Sequence, residues 1–515
     1  MTMIEAGQLG QVVAVSGGSA TIAIDAGQAH AAPVGGLVKL RVGALWAVAS
    51  VRTLAQASGQ MLAEIDFLGE GGEGLAGFRR GVTRLPVPGA PVLPIAEADL
   101  PAIYGAHDVP SVEIGTVHPT MATRAALLVD HFLGRHFALL GSTGTGKSTA
   151  AALILHRICD LSPDGHVVMI DPHGEYGDAF ADKGVRYDAG NLEMPYWLMN
   201  FEEHVEVLVT AQGPERAQDI DILGRCLLAA RGRNRLAEGI RLTVDAPVPY
   251  LLSDLSAALQ AEMGKLDKGT SSLPYLRLKA RLDEIRGDPR YGFMFSGMLV
   301  ADTLDKLLAR IFRLPAEGRP ISVIDVSGVP SEITHVVVSV LARLVFDFAL
   351  WSRGEATKPI LFVCEEAHRY IPADTTGAGQ SVRRILERIA KEGRKYGVSL
   401  GLITQRPSDL AEGVLSQCGT ILSMRLNNER DQLFVKAAMP EGSRGFLDAI
   451  PALRNRECVV CGEGVSVAMR VTLDDLEEAR RPASADPVFT TLWRETGGEG
   501  EMLGRTIAKW RGGKR

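Results

Sequence analysis

Cysteine is scarce in this sequence: its 515 residues include six cysteines, which follow no regular spacing. This pattern suits a reducing cytoplasm and excludes a disulfide framework. Cys458 and Cys461 form a C-x-x-C, but they lie in the strand-like stretch ECVVCGEG with no second Cys or His pair nearby. We therefore expect no metal site at these two cysteines.

The start of the chain lacks a basic segment followed by an apolar stretch, so we expect no signal peptide. The most apolar helical stretch, residues 333–351, carries Arg343 and Asp347 four residues apart on one face. Such a face is typical of a buried helix in a large soluble protein rather than of a membrane span. The sequence therefore predicts a cytoplasmic protein without a membrane partner, and it shows no internal repeat or long low-complexity tract.

A strong excess of either charge is also absent, because the formal net charge is -6. This value neither requires nor excludes nucleic acid as a partner. A DNA-binding protein of this charge would have to concentrate its basic groups in one channel, since phosphate contacts are local ion exchange. The length and the 46% content of hydrophobic residues allow two to four domains with real cores.

The chain changes character along its length. Residues 1–85 contain short β-type runs separated by glycines, which predict a small N-terminal β-barrel. Residues 86–111 are rich in proline and are predicted to be a linker, because such a stretch can keep neither a helix nor a central strand.

From residue 112 onward, apolar strand-like runs alternate with helical patterns, which predicts an α/β fold with a mostly parallel sheet. The first part of this core spans 112–200 and the second part spans 316–480. Helical patterns alone fill 201–315, which we interpret as a helical insertion, and residues 481–515 form a polar C-terminal tail with a basic end. Ligands on such sheets bind outside the carboxyl ends of the strands.

A phosphate-binding loop follows the first apolar run of the core. The stretch GSTGTGKST fits G-x-x-x-x-G-K-[ST] and lies between the strand-like HFALL and an Ala- and Leu-rich helical segment. Its backbone N–H groups would bind the phosphates of ATP, Lys147 would reach the β and γ phosphates, and Ser148 would ligate Mg²⁺. The residues of this predicted nucleotide site are Gly141, Ser142, Thr143, Gly144, Thr145, Gly146, Lys147, Ser148 and Thr149.

Acidic residues that could complete an ATPase site end three of the apolar runs: Asp171, Asp325 and the pair Glu365 and Glu366. Hydrolysis needs one carboxylate near Mg²⁺ and one that orients or deprotonates the attacking water. The adjacent pair meets both needs, so we assign Glu365 to the metal and Glu366 as the catalytic base. Asp325 has no acidic neighbour, and for it we expect a structural role.

Basic residues follow in the stretch RRILERIAKEGRKYG. On a helix, four of them form one stripe, which is normally a solvated face; they are Arg384, Arg388, Lys391 and Lys395. Arg394 lies beside the glycine that would end this helix, where a guanidinium could reach a phosphate of its own or of a neighbouring subunit. Gln405 ends the next strand and could sense the γ phosphate, although a capping or surface role fits the sequence equally well.

Five motifs together resemble the HerA subgroup of the FtsK/HerA translocases: GSTGTGKST, IDPHGEY, FVCEEAHRYIP, RIAKEGRKYG and TQRPSDLAEGVLSQCGT, in this order after an N-terminal barrel. The resemblance implies a RecA-like P-loop ATPase core with a HAS-type barrel, assembled as a homo-hexamer around double-stranded DNA. The resemblance implies that Asp171 belongs to the nucleotide site, that Glu366 is the catalytic base and that Gln405 senses the γ phosphate. It makes Arg394 the candidate trans arginine, with Arg135 a second one. In other P-loop ATPases the corresponding strand ends in Asp-Glu, whereas here it ends in Cys-Glu-Glu. Glu365 therefore stands where those proteins have an aspartate.

The resemblance also implies a function. Proteins of this subgroup typically act with a NurA nuclease in processing DNA ends for recombinational repair, which predicts an ATP-driven translocase or helicase, with the barrel either docking the partner or serving oligomerisation. HerA-like rings also scaffold and regulate effector enzymes in antiphage defence, and the same site residues would serve that role. A conjugation-type coupling ATPase fits less well, because those proteins usually carry membrane segments or membrane partners.

Overall fold

The computed structural model describes residues 7–57, 60–106, 108–118, 122–267, 271–296, 300–374, 379–439, 444–483, 489–494 and 499–511. Within these ranges the chain forms an antiparallel barrel, followed by a large mixed sheet that is covered by helices on both faces. The predicted architecture, an α/β core with a small N-terminal barrel and a helical insertion, is confirmed.

The N-terminal barrel is closed by six antiparallel strands in the order β2-β1-β7-β3-β4-β5, because β5 pairs back onto β2. Alternate side chains of its strands point inward, as in β2, and they form a separate small core. The strands are β1 (Gly10–Ser16), β2 (Ser19–Ile24), β3 (Leu37–Val42), β4 (Leu45–Ala57), β5 (Gln60–Gly71), a short β6 (Arg79–Arg80) beside β5, and β7 (Pro91–Pro94).

The predicted linker at 86–111 is in part wrong, because its residues 91–94 form the strand β7 that completes the barrel. Pro91 and Pro94 lie at the two ends of the strand. The central residue Val92 is fully buried, and its carbonyl accepts the N–H of Leu9 at 2.8 Å. Proline is compatible with a strand end, since only the interior residues must donate to the ladder. The barrel therefore extends past residue 85.

The core sheet has eleven strands in the order β12-β13-β11-β14-β15-β10-β16-β17-β18-β8-β9. The seven from β12 to β16 are parallel, and the four at the other end are antiparallel. The strands are β8 (Ser111–Val117), β9 (Arg124–Leu128), β10 (Phe137–Leu140), β11 (Val167–Asp171), β12 (Gly184–Tyr187), β13 (Ile321–Asp325), β14 (Ile360–Cys364), β15 (Val398–Thr404), β16 (Thr420–Ser423), β17 (Glu457–Gly462) and β18 (Met469–Leu473).

Helices join these strands and fill the predicted insertion. Those before and around the sheet are α1 (Leu100–Tyr104), α2 (Val129–Gly134) and α3 (Lys147–Leu161). The insertion between β12 and β13 contains α4 (Phe201–Leu208), α5 (Pro214–Arg231), α6 (Leu252–Met263), α7 (Leu273–Gly287), α8 (Gly292–Phe295) and α9 (Leu304–Phe312). The remaining helices are α10 (Ser331–Trp351), α11 (Gln380–Glu392), α12 (Glu412–Leu415), α13 (Glu429–Ala438), α14 (Arg444–Leu447), α15 (Phe489–Leu492) and α16 (Glu499–Arg511).

The tail beyond residue 480 is helical in part, where the sequence predicted only a polar tail. Leu503, Ile507 and Trp510 recur at helical spacing in α16, which explains the helix. Trp510 is 82% exposed. The basic end at 512–515 lies outside the described residues.

Helix α10 is long and apolar enough to cross a membrane, but 67% of its most apolar window is buried inside the protein. Arg343 pairs with Glu203 of α4 at 3.0 Å and with Asp347 at 3.2 Å, and Glu203 is fully buried. An ion pair of this kind is strongly destabilised when one partner is lost, because the other charge stays buried. The prediction of a buried core helix is confirmed.

Candidate active site

The predicted phosphate loop lies at the carboxyl end of β10, where the parallel strands β14, β15 and β16 also end. Gly144 and Gly146 have φ values of +77° and +93°, which L side chains rarely adopt. Thr145 is fully buried, and its hydroxyl donates to the carbonyl of Ser142 at 2.8 Å. The N–H of Ser142 also donates to the carbonyl of Arg425 at 2.9 Å, so the loop is held both by its own residues and by the segment after β16, while Thr143 and Gly144 are exposed.

The amino end of α3 offers backbone donors to an anion. Lys147 and Ser148 open the helix directly after the loop. Within the described part of the chain, the N–H groups of Gly146, Lys147 and Ser148 have no acceptor. Free N–H groups and the helix dipole together form an anion-binding end, which suits the phosphates of a nucleotide.

Lys147 and Glu365 face each other across this end of the sheet. The Nζ atom of Lys147 lies 3.2 Å from Oε1 of Glu365, and both side chains are buried. The hydroxyl of Tyr176 donates to Oε2 of Glu365 at 3.0 Å. Burial raises the pKa of Glu365, while the charge of Lys147 lowers it and that of Glu366 raises it. Lys147 is therefore held beside the loop by a carboxylate that phosphate oxygens could replace.

Glu366 has a left-handed backbone with φ +50° and ψ +46°, which is uncommon for a residue other than glycine. Such strain persists only when the surrounding structure holds it, and it clusters at functional sites. The side chain is 5% exposed, and its Oε2 atom has no hydrogen-bond partner among the described residues. A buried carboxylate oxygen that lacks a donor is suited to receive one from a water molecule or a ligand.

Two histidines flank the Glu366 carboxylate. Nδ1 of His368 lies 3.3 Å from Oε2 but forms its hydrogen bond with Oγ1 of Thr404, at 2.9 Å. Nε2 of His173 lies 4.0 Å from Oε1. Burial lowers the pKa of His368, against the opposing effect of the Glu366 charge. His368 therefore connects the end of β14 to the end of β15.

Gln405 follows β15 and contacts the phosphate loop, since its Oε1 accepts the hydroxyl of Thr143. The two residues are 262 positions apart in sequence. Beside them lies a polar cleft lined by Ser142, Thr143, Gln405, Arg406, Ser408, Asp409, Asn428, Arg430 and Asp431. Gln405 therefore lies beside the phosphate loop, and its role as a sensor stays a prediction.

Asp171 has a structural position in its own loop. It is fully buried, and its carboxylate accepts backbone N–H groups from His173, Gly174 and Tyr176 at 2.8 to 3.1 Å. Burial raises the pKa of Asp171, and these N–H groups lower it. Because both oxygens are engaged, Asp171 shapes the loop that carries Tyr176 and is not directed at the phosphate loop.

The other two sequence candidates lie away from this site. Asp325 pairs with Arg186 at 2.6 Å and accepts the N–H of Ser327, as expected for a structural acid. Cys458 and Cys461 both lie in β17 but belong to the cores on opposite faces of the sheet. A separation of three residues along a strand points two side chains in opposite directions, so these thiols do not share a site.

The two candidate trans arginines lie at the opposite edge of the sheet. Arg394 precedes β15 and Arg135 precedes β10, whereas the nucleotide loop follows β10. A seven-residue strand spans about 20 Å, so Arg394 cannot reach its own phosphate loop. Arg394 is exposed, and Arg135 pairs with Glu463. If either arginine contacts a nucleotide, that nucleotide belongs to another subunit.

The predicted basic stripe of α11 faces outward and is partly neutralised within the chain. Arg384 pairs with Glu202 at 2.9 Å, and Arg388 stacks on the ring of Phe346 at 4.5 Å. Lys391 and Lys395 are exposed. The stripe is therefore largely a solvated surface, as such a helical stripe normally is.

The sequence did not identify Tyr176 or His368 as site residues. Tyr176 ends the IDPHGEY motif and is fully buried, 189 residues away from the glutamate that it contacts. The only signal was its position in a motif, because a contact over such a separation depends on the tertiary fold.

Replacing Tyr176 by phenylalanine should lower kcat about tenfold and leave ATP affinity nearly unchanged, because a hydrogen bond that positions the Glu365 carboxylate is lost. Steady-state kinetics and equilibrium nucleotide binding measure the two quantities. Tyr104→Phe is the matched control, since Tyr104 is equally buried but lies in α1. An unchanged kcat for Tyr176→Phe would mean that Glu365 needs no such support.

Comparison with known proteins agrees with this geometry. Residues 112–345 match the family described as "Helicase HerA, central domain". The DNA double-strand break repair helicase HerA of Pyrococcus furiosus is 29% identical over 442 residues, which cover 75% of this chain and 72% of that protein. The helicase of the same name from Sulfolobus acidocaldarius is 24% identical over 449 residues, which cover 82% and 80%.

Among solved structures, VirB4 of Thermoanaerobacter pseudethanolicus has a similar fold, with a TM-score of 0.52 and 16% identity over 72% of this chain and 98% of that one. The fold, the nucleotide loop and the curated relatives agree with the five motifs read from the sequence. Residues 112–345 thus form a HerA-type central domain, and the chain is a P-loop ATPase of helicase type that is similar to the HerA helicases over about three quarters of its length.

Proposed function

We propose that this protein is a cytoplasmic, ATP-driven translocase on double-stranded DNA, which acts as a homo-hexameric ring with a NurA-type nuclease in processing DNA ends for repair. The observation that carries the proposal is the division of the catalytic groups between two edges of one sheet. Lys147, Glu366 and Gln405 lie at the carboxyl edge, and Arg394 projects from the amino edge. A head-to-tail ring brings one subunit's amino edge to the next subunit's nucleotide.

Each group then has a role in hydrolysis. The N–H groups at the start of α3 bind the phosphates, and Lys147 exchanges Glu365 for the β and γ oxygens. Glu366 orients the attacking water and accepts its proton through Oε2, the oxygen that has no hydrogen-bond partner among the described residues. Gln405 contacts the loop at Thr143, from where it can respond to the γ phosphate.

Mg²⁺ fits the same residues. The Ser148 hydroxyl, which lies beside Tyr176, and the Glu365 carboxylate would hold the ion. When bound, it would neutralise charge on the β and γ phosphates.

Double-stranded DNA is the proposed substrate because the relatives are named as DNA double-strand break repair helicases. Movement along DNA would use the energy of ATP hydrolysis at a site to which two neighbouring subunits contribute. The barrel, residues 7–94, is the proposed docking site for the nuclease, since it is a closed unit with a core of its own.

Steady-state ATP hydrolysis with and without linear duplex DNA, measured across a salt series, tests the proposal. We expect strong stimulation by DNA that fades as salt rises, because the contacts would be phosphate ion pairs. A rate indifferent to DNA in an assembled ring would contradict the motor. It would favour a HerA-like ring that regulates an effector enzyme, as in antiphage defence.

A further inference from the structure

His136 is a buried histidine that the hydrolysis site does not use. It lies between Arg135 and the first residue of β10, it is 3% exposed, and its φ is +55°. Its Nδ1 accepts the N–H of Leu400 in β15 at 2.9 Å, so its Nε2 carries the proton and donates to the carbonyl of Ala390 at 3.1 Å. The ring thus joins β10, β15 and α11 through one defined tautomer.

The carbonyl that His136 binds belongs to the last turn of α11. The last four carbonyls of a helix have no partner within the helix, and a side chain that donates to one of them fixes the helix end. The turn that carries Arg394 follows directly, at Gly393–Tyr396. The turn also packs closely against the start of β15, because a Cβ atom on Gly393 would lie only 2.8 Å from the carbonyl oxygen of Val398.

The neutral state of the ring fits this role. Burial lowers the pKa of His136, the carbonyl of Ala390 opposes that shift, and the nearby charge of Arg394 adds to it. Arg394 lies four residues after Ala390, whose carbonyl accepts the hydrogen bond from His136. The Arg394 side chain is exposed and forms no ion pair with the described residues.

We propose that His136 is a positioning residue for Arg394, which it presents at the amino edge of the sheet to the nucleotide of a neighbouring subunit. This inference rests on the proposed function, because it assumes that Arg394 acts in trans. His136, which supports the turn of Arg394, stands at the start of β10, and this strand leads into the phosphate loop of the same subunit. His136 acts on the neighbour's hydrolysis and not on nucleotide binding by its own subunit.

The test compares His136→Gln, His136→Asn and His136→Ala in the full-length protein. Glutamine can place an N–H near the position of Nε2 and keep the bond to Ala390, whereas asparagine can keep only the bond from Leu400. We expect kcat to fall about 10- to 100-fold in the alanine and asparagine variants and less in the glutamine variant, with ATP affinity unchanged. If the variants lost activity only through backbone strain at residue 136, the asparagine variant would keep more activity than the glutamine variant, because asparagine accepts a positive φ more readily.

Mixing gives a second readout. Subunits carrying His136→Asn should regain hydrolysis when mixed with Lys147→Ala subunits, because the latter present a well-positioned Arg394. His204→Gln is the control for burial of glutamine, since His204 is also a buried, twice-bonded histidine but lies in α4. We expect it to keep kcat.

The inference is overturned if the asparagine variant matches the unmodified protein, or if ATP affinity falls together with kcat in all three variants. It is also overturned if Arg394→Ala keeps full activity, and that result would remove the trans arginine from the proposed function as well. Loss of activity in Arg394→Ala with normal His136 variants would leave the proposed function intact and reject this inference alone. The asparagine and glutamine variants keep the test valid if the alanine variant does not fold.

Discussion

Glu366→Gln should lose steady-state ATP hydrolysis and keep ATP binding. The amide preserves the shape of the side chain but cannot accept a proton, and general-base catalysis is typically worth about 10²- to 10⁴-fold in rate. Oε2 of Glu366 is buried and has no partner among the described residues, so the substitution breaks no hydrogen bond of that oxygen that supports the fold. Turnover should fall by about this factor while equilibrium binding of a fluorescent ATP analogue is unchanged.

Two comparisons sharpen this experiment. Lys147→Ala should lose tight nucleotide binding itself, because it removes the cation that the phosphates would contact. Glu412→Gln, at an exposed glutamate of α12, makes the same chemical change outside the site and should have no effect. Normal hydrolysis by Glu366→Gln would reject the assignment of the base, and loss of binding would give Glu366 a role in holding the nucleotide.

Arg394→Ala should inactivate hydrolysis only where subunits assemble. A trans arginine is typically worth about 10³- to 10⁵-fold in kcat, because it stabilises charge that develops on the γ phosphate. Arg394 precedes β15, a strand of about 20 Å that ends at the edge of the sheet with the phosphate loop, so its loss should leave nucleotide affinity of the isolated subunit unchanged. Sedimentation should show that rings still form, and turnover of those rings should be lost.

Mixed rings test the direction of the contact. A subunit with Arg394→Ala keeps a working phosphate loop, and a subunit with Lys147→Ala keeps a working arginine. In a one-to-one mixture of a head-to-tail ring, about a quarter of the interfaces combine the two intact halves and should recover activity. Arg384→Ala removes a cation from α11, the helix before the turn that carries Arg394, and should keep activity, since Arg384 pairs with Glu202 of its own chain. No recovery in any mixture would contradict the trans role.

Much of the core was predictable because its signals are local. The buried strands β10, β11, β13, β14, β15 and β16 are apolar runs flanked by turns, and the phosphate loop has a fixed spacing between a strand and a helix. The order of these strands was not predictable, since it depends on which apolar faces pack together. The strand β7 was missed because Pro91 and Pro94 are usually signs of a linker.

The candidate site shows the same limit. Lys147, Glu365 and Glu366 were found from motifs, and the structure brings them to one edge of the sheet. Tyr176 and His136 act through contacts to residues 189 and 264 positions away, and no local pattern encodes such contacts. Asp171 had the chemistry of a ligand, but three backbone N–H groups already satisfy it.

The closure of the barrel by β7 also decides where the chain can be divided. A fragment that ends at residue 85 would lack the strand between β1 and β3, so both would become open edges. Unpaired edges of this kind promote aggregation, because their free N–H and C=O groups pair with other chains. A cut after Pro94 leaves all six strands joined in a closed ring of hydrogen bonds. The N-terminal domain can therefore be produced on its own, or exchanged between relatives, only together with its proline-rich last strand.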